Sequence, residues 1–238
     1  MSVTRLIKLI PLCDIPELLI DVNQTIPIVR RPRDVNPSMY GYFIEYLVVD
    51  ALGGSRKDEI ERYLTLGDES SSRYKFIRYS YHKKIYDPTD ICNFSFCSKL
   101  LFGKFYEGHA IKLYNHVKLN IDYYNEYHRL LRCCGEFPKL DPEEQKLCNK
   151  ISVGSISGVI DMISDNTIID IKCKSKDNIN YYRKQLYSYA CLYLIRYGKK
   201  IDYCKIYNFL NGNAYYMDVT DLTYDDAVKH VELLRSYC

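Results

Sequence analysis

Asp161, Asp170 and Lys172 are two acids and a lysine set into two short β-prone segments, Ser152 to Ser164 and Asn166 to Lys174. Side chains alternate faces along a strand, so Asp170 and Lys172 project to the same side with Ile171 between them. Asp165-Asn166 has the composition of a tight turn, and if it reverses the chain into an antiparallel pair, Asp161 comes to lie close to Asp170. Two carboxylates meeting on one sheet face repel unless a cation or a proton comes between them, and a divalent metal is the economical answer. Carboxylate and carbonyl oxygens suit Mg²⁺ or Mn²⁺, and Mg²⁺ keeps several waters, so two or three protein ligands are enough. Such a centre fits hydrolysis of a phosphodiester, which needs an in-line water, relief of charge on the phosphoryl oxygens and a stabilised leaving oxygen. The Lys172 ammonium can orient the water or neutralise the developing charge, and beside a metal its pKa can fall far enough to take a proton.

The elements that must position these groups follow in order. Asn178 to Tyr197 has helical spacing and puts Gln185 and Tyr189 four residues apart on one face. Beyond it, strands are expected over Ile201 to Leu210 and Ala214 to Val219, joined by an Asn211-Gly212-Asn213 turn, and a helix over Leu222 to Ser236. From Ile151 the order is therefore strand, strand, helix, strand, strand, helix, an α/β arrangement.

The series Gly158-x-x-Asp161, Asp170-x-Lys172, Gln185-x-x-x-Tyr189 resembles the PD-(D/E)XK nuclease superfamily, specifically its RecB-type and lambda-exonuclease-like branch. That family carries such a series on a β-hairpin and the next helix. The resemblance implies an α/β (α+β) fold: a restriction-endonuclease-like core with a central mixed β-sheet flanked by helices, plus a largely helical N-terminal or inserted region. It implies a Mg²⁺- or Mn²⁺-dependent deoxyribonuclease, exonuclease-like or associated with recombination and repair. Asp161, Asp170, Lys172, Gln185 and Tyr189 would be its catalytic residues. Asp161, Asp170, the backbone carbonyl of Ile171 and Glu45 would be its metal ligands, and Gln185 and Tyr189 would brace the lysine or the scissile phosphate. Glu45 enters because Ser38-Met39-Tyr40-Gly41-Tyr42-Phe43-Ile44-Glu45 resembles the family's early helix. Gly158 would permit close backbone approach near the metal. The rival reading is a catalytically inactive module of the same fold that binds nucleic acid or a protein partner.

Residues 1 to 37 contain Pro11, Pro16, Pro27, Pro32 and Pro37, so an extended segment with at most short structure is expected. Residues 38–238 are read as one nuclease-like domain, with a helical part over 38–150 and the catalytic core over 151–238. Ser38 caps a helix that ends at Gly53-Gly54, a second short helix covers Lys57 to Leu66, and residues 90–134 read as mostly helical. Between them, Arg73 to Lys84 holds five basic and four aromatic residues and no acid. That mixture suits phosphate contact with base stacking and makes Arg73, Lys75, Arg78, Lys83 and Lys84 candidate nucleic-acid contacts. Lys174 joins them from a local excess between Asp170 and Lys205, where nine basic residues face three acids.

Composition narrows the remaining classes. Net charge is only +3, so affinity for nucleic acid must come from clustering. Hydrophobic content of 47% with 26% charged residues is that of a globular chain. No stretch approaches the roughly twenty apolar residues of a membrane span, and the start is a poor signal peptide. An intracellular protein of cytoplasm or nucleus is expected, with DNA as partner and with a homo-oligomer or a recombination partner in view. Ten cysteines without a secretory signal read as thiols, and their spacing predicts no iron–sulfur cluster. Twenty-five tyrosines, no tryptophan and abundant Ile, Lys and Asn suggest an AT-rich genome such as a virus, in which case the setting is the host cell.

Overall fold

The computed structural model describes residues 1–26, 28, 41, 44 and 151–238. The chain divides into two compact units, Met1–Ile28 with Pro138–Cys238, and Val29–Phe137. Nearly all described residues belong to the first, which is mixed α/β. Glu45 and the basic-aromatic residues Arg73, Lys75, Arg78, Lys83 and Lys84 lie outside the described residues, as do the helices expected over Lys57 to Leu66 and 90–134 and most of the one expected from Ser38.

The first unit begins with a single helical turn, α1 (Val3–Leu6), and a two-residue strand, β1 (Leu19–Ile20). Two short hairpins follow: β2 (Ile151–Val153) with β3 (Ile156–Gly158), and β4 (Met162–Ser164) with β5 (Thr167–Lys172). Helix α2 (Ile179–Tyr197), strands β6 (Tyr203–Asn208) and β7 (Asn213–Asp218), and helix α3 (Tyr224–Ser236) complete it. The five-stranded sheet has the order β1-β7-β6-β5-β4, and its β5 and β6 are parallel neighbours while every other pair is antiparallel. The crossover between the parallel pair is α2, as a parallel connection requires.

The sequence explains these elements locally. Asp165 and Asn166 both take positive φ, 47° and 56°, the left-handed pair of a two-residue hairpin turn, and Asp and Asn tolerate it better than other side-chain-bearing residues. Asn178 caps α2 by accepting from the Tyr181 amide at 3.1 Å, and Gly198 ends it in the left-handed conformation with its N–H on the Leu194 carbonyl. Thr223 and Asp226 form a capping box on α3.

One expectation is corrected. Ser152 to Ser164 is not one strand: Gly154, at φ +59°, turns β2 into β3, and a bend at Asp161 separates β3 from β4. The described part of the proline-rich start has only short structure, yet it contributes to the core. Val3, Leu6, Ile7, Ile10, Ile15 and Leu18 are buried in the same core cluster as α2. The Arg183 guanidinium on α2 donates to the Pro16 carbonyl at 2.9 Å. The residues from Gln185 to Leu194 are all buried, because α2 packs against β5 and β6 as well as β2, α1 and α3.

Candidate active site

Asp170 sits in the middle of β5, a strand buried along most of its length, and is itself 2% exposed. Its Oδ2 is met by the Lys172 ammonium in a charge-assisted ion pair. A buried carboxylate oxygen without a partner cation would be costly, and two residues along the strand is the spacing that supplies one. Asp161 arrives from the adjacent hairpin arm. The β4–β5 register sets Met162 opposite Ile169, so Asp161 stands where its side chain can accept from the Ile171 amide, Oδ2 to N at 2.8 Å. That bond ties the second carboxylate to the backbone between Asp170 and Lys172.

The charges answer one another. Burial alone would lower the pKa of Lys172, but the carboxylates of Asp170 and Asp161 outweigh it and hold the ammonium protonated well above its ordinary range. In this arrangement Lys172 is a fixed cation and hydrogen-bond donor.

Helix α2 presents the other half. Gln185 Nε2 donates to the Tyr189 hydroxyl at 2.9 Å, one helical turn away, and both side chains are buried. The Tyr189 hydroxyl is pushed up in pKa by burial and then by the Asp170 carboxylate, so it stays neutral and keeps a proton to donate. The Gln185 Oε1, buried, has no partner among the described residues. Gly158 is the floor under this ring: a Cβ there would stand 2.5 Å from Tyr189 Cε1. Gly158 thus permits close approach of the Tyr189 ring to the backbone.

Two contributors were missed in the sequence. Tyr182, three residues before Gln185 and on the same helical face, lies under the Lys172 ammonium, with Nζ 5.7 Å from the ring centroid. Its spacing was the available signal. Asp177, in the loop after β5, accepts from Asn208 at 2.6 Å, Asn211 at 2.7 Å, Asn213 at 2.9 Å and Tyr215 at 2.6 Å. Burial alone would raise its pKa, but these donors outweigh it and hold the carboxyl below its ordinary range. Asn208 pairs in register with Lys172 and also bonds both backbone groups of Lys174. This cluster fixes the end of β5 that carries the lysine, and only the folded sheet brings its members together.

The basic excess separates. Lys174 is exposed just beyond the site, whereas Lys199 and Lys200 lie past the far end of a 19-residue helix, about 28 Å long. Lys205 pairs with Asp21 at 3.2 Å and Arg183 is committed to Pro16.

Another pairing of nucleophile and base types, Ser188 with His230 at 2.8 Å, does not serve as one. The Ser188 hydroxyl donates to the Lys184 carbonyl at 2.7 Å, so His230 Nε2–H must donate to Ser188, the reverse of base activation. Ser188 is fully buried. A cavity of about 700 Å³ near His230 opens by Tyr187, on the other side of α2 from Gln185 and Tyr189.

As a metal centre, the site offers hard oxygen donors of the type that suits Mg²⁺ or Mn²⁺, one of them a buried carboxylate oxygen already facing a cation. Among the described residues no group of three or more His, Cys, Asp or Glu is placed to hold an ion. Asp161 and Asp170 would be two ligands, with water and backbone oxygen filling the rest. The described cysteines, Cys13, Cys173, Cys191, Cys204 and Cys238, are thiols outside any disulfide. No described helix is long and apolar enough to cross a membrane. Compared with known proteins, the chain matches no family model, no curated protein and no solved structure.

Proposed function

We propose that this chain is a metal-dependent nuclease of the PD-(D/E)XK type that hydrolyses DNA phosphodiester bonds, exonuclease-like or serving recombination and repair. The observation that carries the reading is the convergence of Asp170, Lys172 and Asp161 from one hairpin on the face of α2 that holds Gln185 and Tyr189. Further support comes from the mixed sheet, whose β4–β5 hairpin leads through α2 into the parallel strand β6. Read as a restriction-endonuclease-like core, it puts the site residues on the hairpin and on the following helix.

Asp161 and Asp170 would hold Mg²⁺, with the Ile171 carbonyl as a further ligand. When bound, the ion supplies Lewis-acid stabilisation of phosphoryl charge and a more acidic water. Lys172 contributes a fixed positive charge beside the carboxylates, suited to neutralising charge that builds on phosphoryl oxygens. Because Gln185 donates to Tyr189, the tyrosine's own proton is left to point at Lys172's surroundings or at a substrate oxygen. Lys174, exposed beyond Lys172, is suited to the phosphate backbone, and Arg73, Lys75, Arg78, Lys83 and Lys84 are candidate contacts by composition alone.

The test is digestion of end-labelled linear and circular DNA, single- and double-stranded, with Mg²⁺, Mn²⁺ or EDTA. Metal-dependent cleavage is expected, reduced at least about a hundredfold in Asp170→Asn, and linear against circular substrate separates exonuclease from endonuclease. Cleavage unchanged in Asp170→Asn overturns the assignment. One observation favours a module that binds without cutting: Asp170 is already neutralised internally by Lys172. DNA retained by wild type and variant alike, with no cleavage by either, would select it.

A further inference from the structure

Among the described neighbours of the Lys172 ammonium, two are of different kinds. One is the Asp170 carboxylate. The other is the Tyr182 ring, whose centroid lies 5.7 Å from Nζ, inside the range over which an aromatic face attracts a cation. Tyr182 is 3% exposed, and its ring also meets Tyr181 edge-on, with centroids 6.3 Å apart.

We propose that Tyr182 is a positioning residue whose ring face holds the Lys172 ammonium over the candidate site. This rests on the reading of Lys172 as the site's cation. Lysine is a compact charge on a flexible four-carbon stem, and a carboxylate shared with a second cation grips it less. An aromatic face does not compete for metal, so it holds the ammonium whether or not Asp170 is otherwise engaged. Tyr182, Gln185 and Tyr189 then form one functional face of α2, at spacings of three and four residues.

The full chain carrying Tyr182→Phe, Tyr182→Leu or Tyr182→Met is compared with wild type by two readouts. The first is the proton resonance of the Lys172 ε-methylene, identified by its loss in Lys172→Arg. It is expected upfield of the exposed lysines through the ring current, retained with Phe and lost with Leu and Met. The second is cleavage of duplex DNA with Mn²⁺: Leu and Met are expected to lower kcat roughly tenfold with KM little changed, and Phe to restore it. Thermal melts show which variants are folded, and Met stands in if Leu is not. A Lys172 resonance in wild type that matches exposed lysines, or one unmoved in Leu or Met, overturns the proposal, as does Phe being as impaired as Leu. Should no protein cleave DNA while the resonance behaves as expected, the nuclease reading fails and the positioning role stands.

Discussion

Gly158 illustrates how a residue without a side chain can set the geometry of those that have one. Its backbone needs no glycine on conformational grounds, since only Gly154, Gly198 and Gly212 among the described glycines take positive φ. Space is the reason: the Tyr189 ring occupies the place of the missing Cβ, at 2.5 Å. Adding a methyl must push the ring, and with it the hydroxyl that Gln185 engages at 2.9 Å. Overpacking of this kind costs about 1–3 kcal/mol, so Gly158→Ala is expected to lower stability by about 2 kcal/mol and to weaken cleavage. Combining it with Tyr189→Leu should remove most of the stability cost, because the clash disappears. A double-mutant cycle by chemical denaturation checks this, and additive costs would mean that the two residues do not press on each other.

At the scale of elements, much could be read in advance, and the reason is local. The Asp165-Asn166 turn, the Asn178 cap and the Gly198 terminus are written in residues whose own conformational preferences decide the outcome, so β5 and α2 fall close to where periodicity puts them. The juxtaposition of Asp170 with Lys172 needs only strand alternation. What alternation cannot reveal is where a strand breaks, and Val153-Gly154-Ser155 reads equally as strand or turn until the core decides. Asp177's four donors come from Asn208, Asn211, Asn213 and Tyr215, a grouping no short-range pattern contains. The α2–α3 contact is another such case, with a consequence for pH. His230 on α3 donates to Ser188 on α2, and burial lowers its pKa from 6.5 to about 4. Below the ordinary value the unfolded chain takes up the proton first, so this contribution is whole above pH 6.5 and drains as pH falls toward about 4. The loss by the end of that window is on the order of 3 kcal/mol. Denaturant titrations across it are expected to flatten in His230→Gln, whose amide can still donate to Ser188. A slope as steep as that of wild type would place the acid sensitivity elsewhere.

For the molecule as a whole, the decisive feature is that the sheet and α2 are completed by residues from the far N-terminus. Prolines along residues 1–37 report on backbone conformation alone, and burial of Val3, Leu6, Ile7, Ile10, Ile15 and Leu18 depends on a partner surface more than a hundred residues away. Leu6 and Ile7 belong to the same buried cluster as Leu186 and Leu192 of α2. A four-residue helix has too few internal hydrogen bonds to persist alone, so α1 exists because α2 and β3 receive it. If it is core in the full sense, Leu6→Ala, at 1% exposure, should cost as much as Leu186→Ala, at 0%, each about 2–5 kcal/mol. For a chain of this size that corresponds to a fall in Tm of roughly 5–15 °C. Calorimetry of the two variants decides the matter. A Leu6→Ala protein that melts with wild type, beside a Leu186→Ala protein that does not, would make the N-terminal segment a surface strap. Equal losses would mean that the end of β5 bearing Lys172 is held in a core to which both ends of this unit contribute, and cleavage should then weaken in both variants as the melting temperature is approached.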